Sequence, residues 1–95
     1  MRGRNGIIFE MFKHKNTAVV FVNLVKATLI ESNSFNDFLK KLISNGEKEI
    51  IIDLRACKTV DSTFIGAIVR NYKQVKCNGG NIILIYRKDN LSSLF

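Results

Sequence analysis

With 95 residues, 46% of them hydrophobic, the chain has room for one domain near the lower size limit for a core that needs no staples. The formal charge of +7 invites a nucleic-acid reading, but the bases are scattered, from Arg2, Arg4, Lys13 and Lys15 through Lys40, Lys41, Arg70, Lys73 and Lys76 to Arg87 and Lys88, and no aromatic residues alternate with them as a base-stacking platform needs. The apolar runs Thr17 to Val25 and Ile82 to Tyr86 fall short of the roughly 18 residues of a membrane span, and Ile7 to Phe12, broken by Glu10, is too short for a signal-peptide core.

These limits set the first expectations: no direct nucleic-acid binding, no membrane insertion, and a soluble cytoplasmic protein. Cys57 and Cys77 stand far apart, with no neighbouring thiol or histidine to complete a metal set, and read as reduced thiols. Residues 1–6 form a basic leader expected to be disordered. Next come Ile7 to Phe12 and the β-branched run Thr17 to Val25, joined by Lys13-His14-Lys15-Asn16, which together suggest a β-hairpin. From Ser34 the period changes: Phe35, Phe38, Leu39 and Leu42 fall at helical spacing and predict an amphipathic helix over 34–45. Ser34 is expected to cap it, Asp37 to favour its positive end, and Gly46 to stop it in the left-handed region.

Glu49 to Leu54 is nearly continuous in its apolarity, the pattern of a central parallel strand buried on both faces. A second helix is expected over 63–77, with Ile65, Ile68, Tyr72 and Val75 along one face, Phe64 and Val69 flanking, and Arg70, Asn71, Lys73, Gln74 and Lys76 outside. Asn78-Gly79-Gly80 closes it, and Asn81 to Tyr86 returns as a strand. Right-handed crossovers make two successive βαβ units of these elements. The expected fold is α/β: one domain over 1–95, a small mixed sheet with a parallel core and an antiparallel N-terminal strand, and helices packed on it.

In open α/β sheets function gathers where strand carboxyl ends meet helix amino ends, because exposed helix N–H groups favour a negative group. The connector Arg55 to Ser62 lies there, and Asp61-Ser62 places a serine at or near the N-cap of the second helix. A serine in that position is also an ordinary cap. Other chemistries find little support. Asp53 resembles the phospho-acceptor of receiver domains, but no acidic pair follows the earlier strand. His14 is the only histidine and has no relay partner, and Gly79-Gly80 lacks a phosphate-loop context. No enzyme activity, cofactor or metal is expected.

The segments Ile50-Ile51-Ile52-Asp53-Leu54, Val60-Asp61-Ser62-Thr63-Phe64-Ile65-Gly66, Tyr72-Lys73 and Gly79-Gly80 resemble the signature half of the STAS domain family, which includes bacterial anti-sigma factor antagonists. The resemblance implies an α/β fold of the kind above and phosphorylation at Ser62 by a partner that is both serine kinase and anti-sigma factor. It further implies a phosphatase that reverses the mark. Asp61, Ser62, Thr63 and Phe64 would form the partner-binding segment, with Asp61 positioning and an edge of Phe64 touching the partner. The other reading is an unswitched STAS-like interaction module of a transport or signalling assembly, in which Ser62 only caps. The chain differs from the family in having Phe64 where glycine is usual, and Leu24 to Leu29 in place of an acidic turn. Asn90 to Phe95 matches only the opening of the closing helix, which leaves the closing surface either open or covered by a second copy of the chain, as a homodimer, or by a partner.

Overall fold

The computed structural model describes residues 8–88; the basic leader and the closing helix expected from Asn90 onward lie outside the described residues. In chain order the elements are β1 (Phe9–His14), β2 (Thr17–Val22), β3 (Lys26–Ala27), α1 (Leu29–Ser44), β4 (Glu49–Asp53), β5 (Thr59–Val60), α2 (Ser62–Cys77) and β6 (Asn81–Ile85). The main sheet has four strands in the order β1-β2-β4-β6, and β3 pairs with β5 in a separate two-stranded ladder. β1 runs antiparallel to β2, while the β2–β4 and β4–β6 pairs are parallel, so the mixed sheet expected from the sequence is the sheet observed.

The hairpin turns at Lys15-Asn16, where Lys15 takes a left-handed φ of 56°. The side chains of β2 alternate as a one-sided sheet requires: Ala18, Val20 and Val22 are buried, and Thr17, Val19 and Phe21 only half-buried. Both helices pack on the Ala18–Val20 side, and Phe35, Leu39, Phe64 and Val75 complete the core with Ile50 and Ile52. β4 is central, as expected, but it is fully buried on one face only. Ile51 is half-buried and its neighbour Ile83 is 51% exposed, because both helices lie on the other side.

The first helix begins five residues before the expected start at Ser34. Thr28 is its N-cap: its hydroxyl accepts from the Ile30 amide at 3.3 Å, and the Glu31 carboxylate accepts from the Thr28 amide at 3.2 Å, a reciprocal capping box. Ser34 and Asp37 are therefore mid-helix and exposed rather than at a helix start. The buried stripe runs Ser32, Phe35, Leu39, Leu42. Ser32 interrupts the apolar period, and its hydroxyl is satisfied by donating to Leu29 O at 3.0 Å.

The buried face of α2 is also rotated from expectation, to Phe64, Ala67, Ile68, Asn71 and Val75, while Tyr72 is 39% exposed. Asn71 tolerates burial because its amide donates at 2.8 Å both to Asn36 Oδ1 on α1 and to Ala67 O. Both helices stop where the glycines were expected to stop them: Gly46 and Gly79 have φ of 95° and 84°. Gly80 has a different constraint, since a Cβ there would run into the backbone of Lys48, next to which β6 begins. Gly46→Ala should therefore cost about 1–2 kcal/mol from backbone conformation alone. Gly80→Ala should cost clearly more, because backbone must move, and paired urea denaturation curves will show the order.

Candidate functional site

The two-stranded ladder brings the amino ends of both helices together. Lys26 pairs with Thr59 and Ala27 with Val60, and the Asp61 amide donates to Ala27 O at 2.9 Å. α1 and α2 thus start side by side, each two residues beyond the Ala27–Val60 rung of this ladder. Asp61 joins them: its Oδ1 accepts from the Phe64 amide of α2 and its Oδ2 from the Leu29 amide of α1, both at 2.9 Å. One carboxylate satisfies an orphan donor on each of two helices, and its charge faces the positive end of both macrodipoles.

The cap of α2 is therefore Asp61, and Ser62 is the first residue inside the helix. Ser62 and Thr63 are exposed, and neither hydroxyl has a hydrogen-bond partner among the described residues. With Phe64 N taken by Asp61, the amides of Ser62 and Thr63 are the first-turn donors that have no intrahelical acceptor by position. Phe64 does not present the edge expected of it. It is fully buried, with its ring stacked on Phe35 at a centroid distance of 4.6 Å and an interplanar angle of 14°. Of the four residues expected to meet a partner, Ser62 and Thr63 are at the surface, Asp61 is half-buried beneath them, and Phe64 belongs to the core.

The sequence reading missed an apolar surface at the same end. Val25 is 59% exposed, and Leu29 and Ile30, the first two residues of α1, are 64% and 79% exposed. The capping box Thr28-x-x-Glu31 is the signal that would have placed Leu29 and Ile30 at a helix start beside Asp61.

Asp53, at the carboxyl end of β4, is buried and engaged by Arg55. Its Oδ1 accepts from the Arg55 amide at 3.0 Å and from Nε at 3.1 Å, and its Oδ2 from Nη2 at 2.8 Å. The side-chain hydrogen bond from Arg55 holds the Asp53 carboxyl below its ordinary value of 3.8, against the opposing effect of burial. This carboxylate is committed to bracing the connector, which leaves the phospho-acceptor reading without a free acceptor. Cys57 is buried, and burial pushes its thiol above the ordinary value, whereas Cys77 is exposed; neither is in a disulfide. No helix among the described residues is long and apolar enough to cross a membrane.

The sequence profile of the STAS domain matches residues 26–95, and the chain belongs to that family. No curated protein matches the chain. Among solved structures, a Thermotoga maritima protein described as a candidate anti-sigma factor antagonist is 18% identical with a TM-score of 0.80, the match covering 90% of this chain and 74% of that one. An anti-sigma factor antagonist from Mycobacterium paratuberculosis is 13% identical with a TM-score of 0.80, covering 90% and 72%. The unphosphorylated anti-sigma factor antagonist SpoIIAA is 16% identical with a TM-score of 0.74, covering 92% and 80%. At these identities the likeness establishes the fold and nothing finer.

Two predictions follow from the two carboxylates. Asp61→Ala strips the cap from α2 and the acceptor of the Leu29 amide from α1 and should cost about 2 kcal/mol in urea denaturation, with Asp61→Asn milder because it keeps an acceptor for one amide. Asp53 has a depressed folded pKa, so its contribution is present above 3.8 and is lost as the pH falls through the lower folded value. Arg55→Ala removes the side-chain hydrogen bond and the charge that lower that value and leaves burial opposed only by the residue-55 amide, so the value rises and acid unfolding followed by circular dichroism should begin at higher pH. An unmoved midpoint would show that the pair contributes nothing.

Proposed function

We propose that this STAS domain is a non-enzymatic cytoplasmic anti-sigma factor antagonist, which binds an anti-sigma factor that is also a serine kinase and is released by phosphorylation of Ser62. A phosphatase resets it. The observation that carries this reading is the exposed Ser62 hydroxyl at the first position of α2, beside a cap that Asp61 supplies without it. A serine needed as the cap would have its oxygen on a helix amide, and this one does not. The structural likeness extends to SpoIIAA in its phosphorylated form, 16% identical with a TM-score of 0.72, a fold that therefore accommodates both states in that protein.

The physics of the switch is local. A phosphoserine carries about −1.5 to −2 charges and would meet the open first-turn amides and the positive helix end, so the domain keeps its fold. The surface changes instead. A partner seated on Leu29, Ile30 and Ser62 would have to desolvate a strongly hydrated dianion, and Asp61 deepens the negative field beside it. Thr63, one residue further into the turn, is the secondary acceptor.

Intact-mass and peptide mass spectrometry on protein from its native cells, under growth and stress and with phosphatase inhibitors, tests the reading. A phosphate on Ser62 that varies with condition is expected. A Ser62 unmodified in every condition would leave the unswitched interaction module. In purified protein, Ser62→Asp should shift stability by less than about 1 kcal/mol, since an acid in the first turn is favourable. It should nevertheless weaken binding to the kinase partner more than about tenfold, a loss of about 1.4 kcal/mol by titration calorimetry.

A further inference from the structure

On the outer side of the helix pair, away from the Ser62 end, α1 and α2 enclose a cleft of about 540 Å³. Its size falls within the range of small-molecule sites, about 300–1,000 Å³, but its lining is not the usual apolar one. Lys40 comes from α1 and Arg70 from α2, with Asn36, Asn71, Gln74 and Asn78 around them, and no acidic residue contributes to the wall. The ion pairs among the described residues are Lys13 with Glu47 and Arg55 with Asp53, so neither cleft cation is neutralised by a carboxylate. Two uncompensated cations sharing a concave surface raise the local concentration of anions.

Asn71 supplies the second, independent observation. It is 3% exposed, and its amide nitrogen is used twice, on Asn36 Oδ1 and on Ala67 O. Its Oδ1 receives no donor among the described residues, which leaves a buried acceptor on the cleft wall. Such an acceptor is costly to leave unpaired, and a ligand hydroxyl would satisfy it. Gln74 and Asn78 continue the row one and two turns along, their side chains in a long 3.5 Å contact that a hydroxyl could replace. The Arg70 guanidinium lies back toward Gly66, 3.7 Å from where a Cβ of that residue would stand.

We propose that this cleft binds a small phosphorylated polyol, with the phosphate between Lys40 and Arg70, the hydroxyls on the amides of Asn71, Gln74 and Asn78, and the half-buried Ile43 against its carbon face. Arg offers a bidentate fork to phosphate, and Lys a point charge. The ligand class takes in both sugar phosphates and nucleoside monophosphates, which share the phosphate and the vicinal hydroxyls.

The test is a ¹⁵N–¹H NMR titration of the full chain with ribose 5-phosphate, AMP and inorganic phosphate in parallel. Saturable shifts confined to Asn36, Lys40, Arg70, Asn71 and Gln74 are expected with ribose 5-phosphate; tighter binding of AMP assigns the site to a nucleotide, and equal or weaker binding to a sugar phosphate. The double variant Lys40→Gln with Arg70→Gln, both at exposed positions, should lose at least about tenfold in affinity while its spectrum stays dispersed. If that variant does not fold, Lys40→Gln alone reads the same loss at smaller size. No saturation by about 10 mM of either organic ligand, undiminished binding by the charge-neutral variant, or inorganic phosphate binding as tightly as ribose 5-phosphate would each overturn the proposal.

Discussion

The carboxylate of Asp61 is the joint on which the candidate site depends. Helix amino ends are difficult to bring together, since each leaves several unpaired N–H donors and each is the positive pole of a dipole. Placing two of them side by side concentrates like partial charge unless something negative lies between. Asp61 provides it, with one oxygen on Phe64 N and the other on Leu29 N. The β3–β5 ladder that aligns the two starts is only two residues long in each strand, too short to fix a helix direction alone. Below the carboxylate, the Phe35–Phe64 stack locks the second turn of α1 to the first turn of α2, and Phe9 packs on Phe35 at 4.9 Å to tie them to the edge strand. The exposed Ser62 is thus carried on a rigid support, with capping from above and aromatic packing from below.

That division of labour explains how an aromatic can occupy the third position of α2 without altering the surface. A glycine there would leave the helix entrance thin, with the space filled from elsewhere. Here the Phe64 ring fills it from α2 itself, and the surface at Ser62 and Thr63 is unaffected because the side chain turns fully inward. What differs at the surface comes from the other helix. Leu29 and Ile30 present two large apolar side chains beside it. Burying them is favourable by about 1.5–3 kcal/mol each, so a complementary surface would have to be apolar opposite the start of α1.

The parts of this arrangement that were legible in the sequence are those set by one residue or by a strict period. Gly46 and Gly79 ended their helices because the left-handed region excludes most other residues, and the β-branched runs marked β2, β4 and β6. Asp61-Ser62 was legible as a helix start, although which of the two was the cap was not, since either side chain can accept from the first turn. The start of α1 was hidden because Ser32 takes the core position that an apolar residue would have marked, leaving Ser34 as the more visible cap. Asn71 was hidden for the opposite reason: polarity placed it outside, whereas its amide is paired across the helix interface with Asn36. In both cases hydrogen bonding to a partner remote in space or in the preceding turn overrides the burial rule that periodicity relies on.

The same reasoning accounts for the apolar character of the uncovered side of the sheet. Continuous apolarity in β4 suggested helices on both faces, yet register alone supplies another reason for it. Phe12 pairs with Val19, Val19 with Ile51, and Ile51 with Ile83, so a single apolar row crosses all four strands. Phe12 also meets Phe21 edge-on at 5.6 Å. Cross-strand contacts of this kind contribute about 0.2–1 kcal/mol per pair and disappear if a strand slips by one residue. The outward row therefore holds the register that the inward row of buried Val20 and Ile52 and half-buried Leu84 needs, with or without anything seated over it. A parallel strand with apolar residues at both parities is evidence of a central position, and the count of covered faces has to come from the helices.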